Sequence, residues 1–161
     1  MKTFSNLKGK LLLDIGYPIF LQEQIRKAEK SIYIMMFYIS FDSRKKDSLV
    51  NKIVMDLIAA RKRGVSVNVM LDRDGQNDVY NSRLINKEVV EIFKKNRISV
   101  HFDSALTVLH SKITIIDEKQ ILIGSHDWTL NSFYKYNETS IALDSVELAS
   151  YYIEDFYLRQ G

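Results

Sequence analysis

The chain has 161 residues, 46% hydrophobic and 27% charged, which is typical of one globular domain with a sizeable core. The net charge of +3 is only mildly basic and does not by itself indicate a polyanionic partner. The chain contains no cysteine, so disulfides and cysteine-based zinc sites are excluded.

The apolar runs of the chain are too short for export or membrane insertion. The run at residues 11–13 is cut by Asp14, so no signal-peptide core is present. The longest run, residues 32–39, is far below the ~20 residues that cross a bilayer. We therefore expect a cytoplasmic protein without stable membrane association, and a single domain over residues 1–161.

The first elements are predicted to be a helix and a buried strand. Pro18 suits the first turn of a helix, and apolar residues recur at helical spacing through residues 19–30. Residues 31–40 are continuously apolar and rich in isoleucine, tyrosine and phenylalanine. Such a run is typical of a strand that is buried on both faces.

Strands and helices continue to alternate along the chain. A helix begins after Asp47 or Ser48 and ends at the basic run before Gly64. The elements predicted after it are a strand at 65–71, a turn-rich loop at 72–81, a helix ending near 93, a strand at 98–102, a hairpin at 110–125, a helix at 129–136, a strand at 137–144 and a helix at 146–159. The alternation favours crossover connections, whereas the tight hairpin must be antiparallel. The sequence predicts an α/β fold with a mixed, largely parallel β-sheet flanked by helices.

The hairpin carries the residues best suited to chemistry. Because side chains alternate along a strand, His110, Lys112 and Thr114 are expected on one face. At ~3.3 Å per residue, the histidine and the lysine stand about 7 Å apart, which suits a bound phosphate. Ser125 follows Gly124 just before a helix start, where hydroxyls and backbone amides bind anions.

Residues 110–128 combine, at fixed spacing, His110, Lys112, Asp117, Gly124, Ser125 and Trp128. This pattern resembles the signature of the phospholipase D superfamily, His-x-Lys-x4-Asp followed by Gly-Ser-x-Asn and an aromatic residue. Asn137-Glu138 resembles the acidic residue that family members place behind the histidine. The opening helix, the buried strand and the helix-to-strand junction after Arg61 also fit, so the resemblance spans most of the chain.

The resemblance implies a reaction mechanism. In the family, one histidine attacks phosphorus to give a phosphohistidine, and a second histidine protonates the leaving oxygen. Lysine, serine and asparagine donate to the non-bridging oxygens, so no metal or other cofactor is implied. By this resemblance His110, Lys112 and Glu138 are catalytic, and Glu138 orients the ring of His110. Lys112, Ser125 and Asp127 are then the phosphate-binding residues.

The chain carries one copy of the motif, whereas this chemistry requires two histidines. Small family members supply the second copy by homodimerisation, so the resemblance implies a homodimer with one composite site. It further implies a metal-independent endonuclease or related phosphodiesterase that acts on DNA or RNA. Two alternatives remain open: a lipid-directed phospholipase D or phosphatidyl transferase, and a weakly active or inactive nucleic-acid-binding dimer.

Two aspartates of the motif are interpreted differently. Asp117 lies where the hairpin turns and is expected to be structural, because aspartate favours turns through hydrogen bonds to the backbone. Asp127 departs from the family pattern, since a carboxylate accepts hydrogen bonds where an amide would donate. It is expected to cap the helix near Trp128, to pair with Lys112 or His126, or to mark a degenerate site.

The other histidines and several aromatic residues can be explained by structural roles as well as by functional ones. His126 is expected to point away from the site, and no ligand spacing supports a zinc site from His101, His110 and Asp103. The basic run at residues 61–63 is interpreted as charge at a helix end rather than as a nucleic-acid path. Three aromatic residues near the site are candidates for stacking on bases or for packing: Phe133, Tyr134 and Tyr136.

Overall fold

The computed structural model describes residues 3–5, 7–73, 80–104 and 106–160. Within these ranges the strands are β1 (Lys8–Leu13), β2 (Ser31–Met36), β3 (Ser66–Leu71), β4 (Ser99–Phe102), β5 (Lys112–Ile116), β6 (Gln120–Gly124) and β7 (Thr139–Asp144). The helices in the same ranges are α1 (Gly16–Lys27), α2 (Leu49–Lys62), α3 (Ser82–Ile85), α4 (Lys87–Lys95), α5 (Leu130–Tyr134) and α6 (Val146–Leu158). Most of the loop predicted at residues 72–81 lies outside the described residues.

The described strands form one mixed sheet in the order β1-β7-β6-β5-β2-β3-β4. β2 pairs with β3, and β3 with β4, in parallel. The other four pairs in that sheet are antiparallel. The mixed α/β fold is thus confirmed, but the expectation of a largely parallel sheet is wrong. The reason is that only the first half of the chain alternates strand and helix, whereas β5, β6 and β7 follow one another with short connections.

Two hydrophobic clusters cover the two faces of the sheet. On one face, residues of α1, α2 and α4 pack against β2 and β3. On the other face, Leu148, Ala149 and Phe156 of α6 pack against β2, β5 and β6. Every residue of β2 is buried, as its unbroken apolar run predicted. Within the described residues, each helix is too short or too polar to cross a bilayer.

Two elements differ from the expectation. Strand β1 was not predicted, because its apolar residues 11–13 follow a charged stretch and end at Asp14; it pairs with β7 at the edge of the sheet. The single helix expected before Phe93 is divided into α3 and α4 at Asn86. That side chain accepts a hydrogen bond from the Ile39 amide and donates one to the Phe37 carbonyl.

Basic side chains at helix ends bond to backbone carbonyls. Arg61 donates to the carbonyl of Arg97 at 2.9 Å. Arg63 donates to the carbonyls of Ile25 and Ala28 at 3.2 and 3.3 Å. Both side chains therefore join neighbouring elements, in agreement with the interpretation of this run as helix-end charge.

Asp117 lies in the turn between β5 and β6 with a positive φ of 52°. Its carboxylate accepts hydrogen bonds from the amides of Glu29, Lys30 and Ser31, at 2.7–3.2 Å. The first two amides belong to the connection between α1 and β2 and the third to the first residue of β2, so Asp117 joins the turn of the hairpin to the start of the central strand. The geometry is that of a structural residue.

We expect Asp117→Ala to lower the free energy of unfolding by about 2 kcal/mol, because three backbone amides lose a charged acceptor. Chemical denaturation with fluorescence detection measures this change. Asp117→Asn is the matched control, since asparagine also tolerates positive φ and keeps one acceptor oxygen. Losses below about 0.5 kcal/mol in both variants would contradict the role of the carboxylate.

Candidate active site

His110 lies two residues before β5 rather than within it. The expectation that it shares a strand face with Lys112 and Thr114 is therefore wrong, because the ladder with β2 begins at Lys112. The imidazole is exposed and contacts the ring of Phe37 edge-on, with 5.0 Å between centroids.

The segment that carries His110 is fixed by a buried carboxylate. Asp72, 1% exposed and directly after β3, accepts a hydrogen bond from the amide of Leu109 at 2.8 Å. Its second oxygen accepts from the hydroxyl of Ser82, which is also buried. The backbone immediately before the histidine is thereby anchored to β3 and α3. Sequence reasoning missed Asp72, and its position directly after a strand end was the signal available.

Lys112 is a buried cation at the start of β5, 6% exposed. Its ammonium donates to the carbonyl of His110 at 2.9 Å and lies 5.1 Å from the centroid of the Phe37 ring. Burial lowers the pKa of Lys112, and the nearby charge of Asp127 partly offsets that effect. The hydrogen bond to the carbonyl therefore holds the ammonium next to the backbone of His110.

Asp127 pairs with Lys112, one of the three alternatives considered for it. Its Oδ2 lies 3.7 Å from the ammonium, and its Oδ1 accepts from the amide of Tyr38 at 3.1 Å. Burial raises the pKa of Asp127, and the charge of Lys112 opposes this rise. The capping alternative is wrong, because Thr129 caps α5 by accepting from the amide of Ser132.

Strands β6 and β7 approach each other closely at Gly124, and His126, two residues further on, is buried. A Cβ on Gly124 would stand 2.2 Å from the hydroxyl oxygen of Ser140, so only glycine fits there. That hydroxyl bonds Nδ1 of His126 at 2.7 Å, and Nε2 lies 3.0 Å from the carbonyl of Asp14. Because a carbonyl only accepts, Nε2 carries the proton and Nδ1 accepts from Ser140. Burial lowers the pKa of His126, which favours this neutral ring.

Glu138 is bonded to two serines. Its carboxylate accepts from the hydroxyls of Ser125 and, at 2.8 Å, Ser132. Among the described residues, no hydrogen bond joins it to His110, so the expected orienting contact is not observed. The physical reason is that hydroxyl donors lie directly beside each of its oxygens. In this arrangement Glu138 orients Ser125, which is exposed.

The N-terminal part of the chain contributes one further contact that sequence reasoning missed. Asp14 has a positive φ of 44° and its Oδ1 accepts from the amide of Glu138 at 2.8 Å. The amide of Asp14 donates in turn to the carbonyl of Glu138. The junction between β1 and α1 thus holds the backbone of Glu138 from both sides.

The residues considered for a zinc site are not gathered into one. His101 packs edge-on against Phe156 of α6, at 5.5 Å between centroids. Burial raises the pKa of Asp103 to about 6, and its carboxylate accepts from the amide of Arg73. Within the part of the chain that the structure describes, no group of three or more histidine and acidic side chains is placed to hold a metal ion.

These contacts gather an exposed imidazole, a buried ammonium, an exposed hydroxyl and two carboxylates at one end of the central strands. A family model described as "Cardiolipin synthase, PLD-like domain" matches residues 21–158. The chain belongs to the phospholipase D superfamily. This is a family of PLD-like phosphodiesterases and hydrolases.

Curated relatives of the chain carry lipid-directed names. Phospholipase D of Rickettsia prowazekii (strain Madrid E) is 30% identical over 156 residues, which are 97% of this chain and 68% of the relative. Mitochondrial cardiolipin hydrolase of Mus musculus is 27% identical over 95 residues, 59% of this chain and 40% of that protein. The chain spans about two thirds of the length of the rickettsial relatives, 64% to 68%.

Solved structures of two similar proteins have nearly the same extent as this chain. Nuc from Salmonella typhimurium, a phospholipase D family member, superposes with a TM-score of 0.78 at 20% identity, over 96% of this chain and 94% of that one. NucT from Helicobacter pylori superposes with a TM-score of 0.72 at 17% identity, over 96% of both chains. These likenesses show a shared fold.

We expect Asp127→Asn to raise kcat/KM for a phosphodiester about tenfold at neutral pH. The carboxylate repels the phosphate and occupies Lys112, whereas an amide donates to phosphate oxygens, and such charge-linked hydrogen bonds contribute about 1.5–3 kcal/mol. Initial rates of both proteins over a range of pH measure the effect. Asp127→Ala, which removes the charge without adding a donor, is the control.

The ratio of kcat/KM for Asp127→Asn to kcat/KM for the wild-type protein is expected to change with pH in one direction. Because the pKa of Asp127 is raised, lowering the pH protonates the wild-type carboxyl and turns it into a donor. The Asp127→Asn advantage should therefore shrink towards acidic pH, and titrations common to both proteins cancel in the ratio. An advantage that is absent, or that grows as pH falls, would contradict this role.

Proposed function

We propose that this chain is a metal-independent endonuclease, a phosphodiesterase that cleaves DNA or RNA as a homodimer through a phosphohistidine on His110. The observation that carries the proposal is that the buried ammonium of Lys112 donates to the backbone carbonyl of His110, whose side chain is exposed. The likeness to Nuc and NucT in fold and extent supports a nuclease-type substrate.

In the proposed reaction a ring nitrogen of His110 attacks phosphorus, and the bond from phosphorus to the leaving oxygen breaks. Lys112 donates to a non-bridging oxygen as negative charge develops there, and Ser125 donates beside it after its hydroxyl proton turns from Glu138 to the phosphate. A second histidine gives its proton to the leaving oxygen. Water then attacks the phosphohistidine and passes a proton to that second histidine, which restores both groups.

The second histidine is proposed to come from another copy of the chain. The sequence contains three histidines. Both ring nitrogens of His126 are bonded inside the core, and His101 packs against Phe156 beneath α6. A two-fold axis beside His110 would place the His110 of one copy opposite that of its partner, with one composite site.

Exposed apolar side chains around His110 support an interface at this position. Leu106 is 93% exposed and Val108 47%, and they lie within four residues of the histidine. Tyr80 is half exposed, and its ring contacts Phe37, the ring against which His110 packs. Clustered apolar surface of this kind marks interaction sites in many proteins.

We expect the wild-type protein to cleave a labelled oligonucleotide in excess chelator and to form an acid-labile phosphorylated intermediate at His110. Brief incubation, alkaline quenching and peptide mapping by mass spectrometry locate the phosphoryl group. His110→Ala should abolish both the intermediate and cleavage, whereas His101→Ala, the matched control, should change neither. Activity that disappears with chelator and returns with magnesium would refute the proposal.

The composite site gives a second expectation. If subunits of wild type and His110→Ala assort randomly in equal amounts, about one quarter of the dimers carry both histidines. Activity should then fall to about one quarter of that of the same total amount of wild type, whereas independent sites would retain about half. Co-refolded mixtures over a range of ratios, with mass in solution measured in parallel, distinguish a quadratic dependence from a linear one.

A lipid-directed activity is the second candidate, favoured by the names of the curated relatives and of the family model. The proposed catalytic residues would serve it unchanged. Release of choline from phosphatidylcholine vesicles, with no cleavage of DNA or RNA under the same conditions, would favour it over the nuclease. Salt-sensitive binding of DNA without turnover would instead support a weakly active binding dimer, limited by the contact between Asp127 and Lys112.

A further inference from the structure

A cavity of about 340 Å³ opens next to the Lys112–Asp127 pair. It lies between the segment after β2, Ile85 at the end of α3, and helix α5. The lining residues used below are Tyr38, Ile85, Asp127, Asn131, Tyr136 and Glu138. Its volume is at the low end of the range of about 300–1,000 Å³ for small-molecule pockets, so it suits one small group rather than a long chain.

The charges of this cavity are unsuited to a phosphate. Asp127 and Glu138 contribute carboxylates, and no lysine or arginine is among the described residues that line it. A phosphate inside would meet like charge, whereas the ammonium of Lys112 is directly adjacent. The scissile phosphate therefore belongs beside Lys112, and the cavity receives an uncharged group attached to it.

The polar and aromatic lining suits a flat, hydrogen-bonding ring. Tyr136 is 55% exposed, and Tyr38 is held in place because its hydroxyl donates to the carbonyl of Tyr80. Asn131 presents an exposed amide, which can both donate and accept. Tyrosine rings stack on bases without regard to sequence, at about 1–3 kcal/mol per base.

We infer that this cavity is a nucleobase subsite, in which Tyr136 stacks on an unpaired base adjacent to the scissile phosphate. The inference rests on the proposed nuclease function and extends it to the substrate class, namely single-stranded or locally unpaired nucleic acid. In a duplex, the edge of a base is paired and its two faces are stacked on its neighbours. The target base must therefore leave the stack to enter the cavity.

The test compares a single-stranded oligonucleotide with an oligomer of the same length built from abasic units. Dissociation constants are measured by fluorescence anisotropy in the His110→Ala background, so that turnover is not required. Tyr136→Leu should weaken binding of the normal strand about tenfold and leave binding of the abasic oligomer unchanged. Tyr136→Phe should bind like the parent, because it retains the ring.

Tyr134→Leu is the matched control. Tyr134 is 61% exposed and lies two residues away, but it does not line the cavity, so its loss should leave both constants unchanged. A single 2-aminopurine nucleotide adjacent to the cleaved bond should show quenched fluorescence when Tyr136 is present and unquenched fluorescence in the Tyr136→Leu variant. Circular dichroism and thermal unfolding check that each variant remains folded.

The possible results distinguish a failure of the base subsite from a failure of the nuclease proposal. Equal weakening of both oligomers by Tyr136→Leu, or none, would overturn the base subsite while leaving the nuclease proposal intact. Base-dependent binding without cleavage by the wild-type chain would refute the nuclease but retain the subsite. If Tyr136→Leu reduced choline release from phosphatidylcholine vesicles and spared DNA binding, the cavity would be a lipid headgroup site and the inference would be wrong.

Discussion

The burial of the Lys112 ammonium is the constraint on which the site depends. A buried cation must be compensated, and three groups from different parts of the chain compensate this one: the His110 carbonyl, the Asp127 carboxylate and the Phe37 ring. These contacts join the start of β5, the segment after β6 and the end of β2. The residues of the motif are therefore brought together by one charge rather than by the strand alone.

The surroundings of this charge are built to hold backbone segments in place. Asp72 fixes the amide before His110, Asp117 fixes the amides at the entry to β2, and Asp14 fixes the backbone of Glu138. Each is a carboxylate that accepts from backbone amides, which satisfies donors that no ladder or helix would satisfy. The side chains of His110 and Ser125 remain exposed on backbone segments that these hydrogen bonds hold in place.

The contact between Asp127 and Lys112 is part of the fold, and the charges of both groups depend on pH. A carboxylate at this position lies 3.7 Å from the buried ammonium, and in the proposed reaction it would compete with a phosphate for that ammonium. Burial raises the pKa of Asp127 and lowers that of Lys112, so both shifts favour the uncharged forms. A phosphate arriving with its own negative charge would favour a protonated Asp127 further. In the proposed reaction, the charge of Asp127 would therefore adjust how strongly Lys112 holds a phosphate.

The family, the spacing of the motif and the burial of both faces of β2 could be predicted from the sequence, because residue spacing and apolar runs are local properties. The structure was needed to show that His110 precedes β5, that β5 to β7 make the sheet mainly antiparallel, and that Glu138 bonds to Ser125 and Ser132. It also assigned Asp14 and Asp72 their roles, since each acts on an amide that is distant in sequence. Hydrogen-bond partners of a carboxylate depend on which donors the fold brings within about 3 Å, and no linear pattern encodes that choice.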